Sequence, residues 1–198
     1  MIALTIASAA AYAADPDDGT SGAALSLELG AGIGWAGSSD NGLRLYDDYA
    51  RIPELHDREA GVAVHLGFGY GLTENVALGV DLRAWSRRAD DDLAAARLDL
   101  IETVVAVTWH PWRTGPFARL GYGLGAARLD YLERGSWHDM YDTGACYLLA
   151  IGHDLRLGRT LTLAPQLAHV AFATRDLEVW VSSTCLTLAL CIQPGRSP

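Results

Sequence analysis

Seven ionisable side chains, Glu28, His65, Asp81, Arg83, Glu102, Arg119 and Asp154, stand at positions that alternate with apolar residues. Alternation places them on one face of their segments and the aliphatic residues on the other. Their signs are mixed, and charge enclosed away from water is tolerated when it is paired. The pattern predicts a buried network in which Arg83 and Arg119 meet Glu28, Asp81 and Glu102. Hydrolytic chemistry has less to work with. A lipid-cleaving site needs a Ser, a His and an orienting acid. His169 with Ser182 or Ser183 is the nearest approach, and the chain has no His-x-Ser pair. His169 reads instead as a rim or packed histidine. His56-Asp57 and His138-Asp139 read as solvated loop residues. HExxH, P-loop and GxSxG signatures do not occur, and the glycine-rich run 67–71 lies within a strand pattern with no helix after it. The expectation is no catalytic residue, no cofactor and no metal site. Cys146, Cys185 and Cys191 form no CxxC pair. Cys185 and Cys191, six apart on one strand, would lie about 20 Å apart, too far to bridge. All three read as small apolar filler.

The segments that carry these residues have the strand period of two. In 24–36, Leu25, Leu27, Leu29, Ala31, Ile33 and Trp35 share a face, against Ser26, Glu28, Gly30, Gly32 and Gly34. The pattern returns in 61–72, 76–83, 97–110, 116–131, 143–157, 160–173 and 180–192. Two irregularities stand out. Leu98 and Leu100 are out of phase with Val105 and Val107, which suggests a bulge or a part clear of the membrane. Pro165 lacks a ladder donor, so its strand should bulge or drop a bond there. Polar stretches at 37–59, 87–96 and 132–142 read as long loops. The links at 73–75, 111–115 and 158–159 are tight turns, and 174–176 is a short loop. Eight strands with alternating long and short links make an antiparallel up-and-down barrel.

A bilayer explains the faces. Lipid offers no hydrogen bonds to a sheet edge, so a spanning sheet must close. All of these runs but 76–83 reach the roughly 9–11 residues that a tilted spanning strand needs. Trp35, Tyr70, Trp109 and Trp180 lie near strand ends, as an interfacial aromatic girdle requires. Eight strands leave an interior that side chains fill, so a pore would conduct poorly. The 198 residues suit one domain, 24–192, with a tail at 193–198. Residues 1–13, small and apolar and ending in Ala11-Tyr12-Ala13, read as a signal peptide that lacks its basic start. All 15 basic residues are arginine, and a formal charge of -9 argues against nucleic acid as a partner.

The strand plan, with 69–75 (GYGLTEN) and 120–125 (LGYGLG), resembles the small outer-membrane β-barrel proteins of Gram-negative bacteria, the group that includes the membrane domain of outer membrane protein A. Such barrels commonly end in an aromatic, whereas this chain reads Cys191-Ile192-Gln193 and then PGRSP. The resemblance implies an eight-stranded transmembrane barrel in the outer membrane, monomeric and inserted by the barrel-assembly machinery. Its loops would meet outer-membrane lipids and lipopolysaccharide. A non-enzymatic structural or surface-interaction role follows. Two alternatives stand beside it: a soluble, periplasmic, lipocalin-like ligand-binding barrel, and an outer-membrane lipid-modifying enzyme.

Overall fold

The computed structural model describes residues 25–38, 60–90, 95–112, 115–133, 136–158, 160–174 and 180–193. Nine strands occur among them: β1 (Leu25–Ser38), β2 (Ala60–Gly71), β3 (Val76–Asp90), β4 (Ala95–Trp109), β5 (Pro116–Glu133), β6 (Ser136–His153), β7 (Leu155–Arg156), β8 (Leu161–Thr174) and β9 (Trp180–Ile192). β7 is a two-residue piece that pairs only with the start of β8. The other eight form the wall. Each pairs antiparallel with its neighbour in sequence, β1 also pairs with β9, and β6 pairs with β8 across β7. No sheet edge remains open in the spanning part, as an apolar solvent demands. The fold is a closed eight-stranded, antiparallel, up-and-down barrel.

Register is continuous along every pair, which excludes the bulges weighed for β4 and β8 and shortens two of the expected loops. β4 pairs with β3 and β5 without a bulge, so Leu98 and Leu100 keep the phase of Glu102 and point inward. Pro165 sits in unbroken register opposite Leu188. It lies one residue beyond the last β6–β8 pair, Gly152↔Gln166, where that ladder ends. The polar stretches at 87–96 and 132–142 are largely strand. β3 and β4 pair up to Asp90↔Ala95, and β5 and β6 up to Glu133↔Ser136. Those hairpins rise above the membrane-facing wall, where water favours polar residues on both faces. The loop expected at 37–59 and the links 91–94 and 175–179 fall outside the described residues beyond Ser38, as do the signal peptide at 1–13 and the tail 194–198.

The opposite rim is tight. Thr73 Oγ1 accepts from Val76 N at 3.0 Å and Asn75 N at 3.3 Å, fixing the β2–β3 turn. Gly115 enters β5 at φ +97°, a left-handed conformation that a side chain rarely adopts. Its carbonyl accepts from Asp154 N at 2.8 Å, which ties the β4–β5 turn to the β6–β7 break.

Candidate functional site

The outer wall is aliphatic and exposed. Leu27 (40%), Val64 (47%), Val105 (56%), Leu120 (63%) and Leu188 (51%) face outward on five different strands. A continuous apolar patch of this extent marks a membrane surface. It is the reverse of a soluble ligand carrier, which would keep its apolar faces inside. Trp35, Tyr70 and Trp109 are exposed on this outer face. The Trp180 side chain lies outside the described residues. Two further tyrosines, Tyr122 and Tyr147, pack across β5 and β6 in a tilted arrangement with ring centroids 5.2 Å apart.

Above the apolar band, on the outward faces of β3 to β6, the residues turn charged. Ser86 Oγ donates to Asp99 at 2.5 Å, and Arg97 Nε donates to Asp99 at 3.0 Å. Arg128 donates to Asp130 at 3.1 Å and to Asp139 at 3.2 Å. This collar borders the apolar band of the wall.

The lumen is filled in storeys. Nearest the tight-turn rim, Phe117 packs with Ala164 and Ala189. Asp154 stands here, apart from the other six sequence candidates, and its Oδ2 lies 3.1 Å from His110 Nε2. Arg119 closes this level from above, its guanidinium 5.5 Å over the Phe117 ring.

The polar storey follows. Arg119 donates to Glu28 Oε2 at 2.7 Å, to Asp81 Oδ2 at 2.9 Å and to Thr108 Oγ1 at 3.0 Å. His65 Nε2 lies 2.7 Å from Glu28 Oε1. Arg83 reaches Asp81 and Gln166 Oε1 at 3.4 Å each. Gln166 Nε2 donates to Glu28 Oε1 at 2.8 Å. Strands β1, β2, β3, β4, β5 and β8 are thus joined across the lumen by charge-assisted bonds, the strong class of hydrogen bond. Glycine makes room for them: a Cβ at Gly30 would strike the His65 ring, and one at Gly67 would come within 3.0 Å of Asp81 Oδ1. Glu102 differs from the expectation that it meets Arg83 or Arg119 directly. Its described hydrogen bond is from Ser183 Oγ at 3.4 Å.

The upper storey is apolar. Trp85, Leu100, Val104, Cys146, Leu148, Val170, Phe172 and Cys185 form one buried cluster. Leu100 and Phe172 are wholly enclosed. Trp85 fills the space opposite Gly61 and donates its Nε1–H to Gly34 O at 2.8 Å. The three cysteines are buried and unbridged. Arg87 and Asp142 are also buried, and Asp142 Oδ1 accepts from Thr143 N at 2.7 Å.

Sequence reasoning missed Gln166, which joins Glu28 to Arg83, and missed the apolar storey. The inward phase of β8 was the signal for Gln166, since Ala164, Gln166 and Ala168 are all buried. The Ser and His considered for lipid cleavage do not assemble. Ser183 points into the lumen; Ser182 lies on the outer face with His169 but pairs opposite Ala171, and the His169 Nδ1 lies 2.9 Å from Thr184 Oγ1 instead. Among the described residues this is the one hydrogen bond of the His169 ring, and no cluster of three or more His, Cys, Asp or Glu could hold a metal. His56-Asp57 falls outside the described residues, as does the His138 side chain, and Asp139 is engaged by Arg128.

No family model matches this chain, and no curated protein sequence matches it. Solved structures do. Neisserial surface protein A (NspA) is 14% identical, with 85% of this chain and 96% of that one covered and a TM-score of 0.57. Ail, the attachment invasion locus protein of Yersinia pestis, is 9% identical, covering 86% and 99%, at a TM-score of 0.60. Ail in complex with the heparin analogue sucrose octasulfate superposes at 0.59 with 8% identity, over 86% and 99%. At such identities the likeness is one of fold: this chain has the architecture of small outer-membrane barrels.

Proposed function

We propose that this protein is a non-enzymatic barrel of the Gram-negative outer membrane that acts through its outward surfaces, as a structural or surface-interaction protein. One observation carries the reading: among the described residues the wall is apolar outside and the lumen is packed with side chains. Side chains packed across the described lumen favour this reading over a solute channel, since eight strands leave an interior that side chains can fill. What is left to interact is the lipid-facing belt, the charged collar and the projecting hairpins. The alternating Arg and Asp of the collar suit lipopolysaccharide, whose phosphates pair with arginine and whose bridging divalent cations pair with carboxylates. On this reading the protein is inserted by the barrel-assembly machinery and works as a monomer.

The test is behaviour on purification. The protein is expected to stay folded only in detergent or lipid, and to change gel mobility on heating as the barrel opens. A folded monomer in plain buffer would overturn the reading. The lipid-modifying alternative has one observation in its favour, the outward His169–Thr184 pair. Release of fatty acid from lipopolysaccharide by the purified protein, abolished by His169→Ala, would establish it instead.

A further inference from the structure

Three buried polar atoms of the lumen, His65 Nδ1, Arg83 Nε and Thr187 Oγ1, have no hydrogen-bond partner among the described residues. Each belongs to a side chain at most a few per cent exposed. A buried donor or acceptor left unpaired is costly, and native interiors satisfy such groups with protein or with ordered water. The three residues line the same small cavity, which also touches Glu102 and Ser183 and has a volume of about 10 Å³. That is the room of about one water-sized sphere, and a resident water needs two to four polar partners.

We propose that this cavity is a binding site for one internal water, which completes the polar storey by linking Arg83 to Glu102. The chemistry of the walls selects the occupant. Arg83 Nε can only donate, so it disfavours a metal cation. The Glu102 carboxylate disfavours an anion. Water does both tasks: it accepts from Arg83 Nε–H and donates to an acceptor on the far side. Thr187 Oγ1 can take either role. Arg83 and Glu102 are cross-strand neighbours on β3 and β4, yet no direct ion pair joins them. A bridging water gives Glu102, which is buried with one long hydrogen bond, a second partner. The site sits where the polar storey meets the apolar one, since Trp85, Val170 and Cys185 close its other walls.

The experiment is a crystal structure of the full chain in detergent, at a resolution that orders internal solvent, joined to unfolding of the Thr187→Val variant. The proposal expects one solvent peak within about 3.2 Å of Arg83 Nε and Thr187 Oγ1. It also expects the variant to open at a lower temperature than the parent in the heated-gel assay. An unpartnered hydroxyl predicts the opposite sign, because replacing it with a methyl removes a desolvation penalty and breaks nothing. A cavity without ordered density would overturn the site, as would anomalous signal there from a rubidium or bromide soak. A variant as heat-resistant as the parent, or more so, would also overturn it.

Discussion

The two main storeys of the lumen solve one packing problem by different physics. In the polar storey, six strands are tied together by a few directional bonds that converge on Arg119, Glu28 and Gln166. In the apolar storey, Trp85, Leu100, Val104 and Phe172 fill space by shape. Directional bonds resist a one-residue slip of any strand, because a slip turns each inward charge out to lipid. Shape-filling contributes bulk stability but tolerates exchange among similar volumes. Specification of register therefore belongs to the lower storey, and much of the adhesive strength to the upper.

That division can be broken experimentally. The largest effect is expected for Arg119→Met, which leaves Glu28 and Asp81 enclosed without their shared cation. Breaking one partner of such a cluster costs about 3–5 kcal/mol, read by urea unfolding in detergent. Adding Glu28→Gln and Asp81→Asn to that variant should restore most of the loss, since neutral groups need no counter-charge. If the triple variant is weaker than the single one, the polar storey is adhesive and the contrast fails. Next comes Phe172→Ala, expected to cost about 3 kcal/mol through the void it leaves. No charge change elsewhere should rescue it. The smallest effect belongs to Arg128→Ala in the exposed collar, a slight drop in the urea midpoint that fades further in high salt. A collar variant as damaging as Arg119→Met would show that the pairs outside, not those within, hold the strands.

The two storeys also differed in how far they could be read from the chain. Glu28, Asp81, Arg83 and Arg119 announced their face because their neighbours are aliphatic or small, and the barrel followed from that contrast. Leu98, Leu100 and Val104 offered no such contrast. Where both faces of a strand are apolar, period-two alternation vanishes, and the inward residues look like phase errors. Gln166 was hidden by a related effect: Pro165 before it and the outward His169 after it blur the pattern of β8. The tall hairpins failed for a third reason. Arg97, Asp99, Arg128 and Asp130 are polar as loops are polar, but the ladder continues through them because a strand in water has no need of an oily face.

The fit of Trp85 against Gly61 has an evolutionary corollary. A Cβ at position 61 would come within 2.5 Å of the indole. Any lineage that enlarges residue 61 must make room twice, by shrinking residue 85 and by easing the Ser86 carbonyl, which a Cβ would approach to 2.7 Å. Descendants of such a barrel would drift as compensating pairs across neighbouring strands while total interior volume stayed constant. Kinship among them is then better sought in summed sizes at facing inward positions than in letters shared at any one of them.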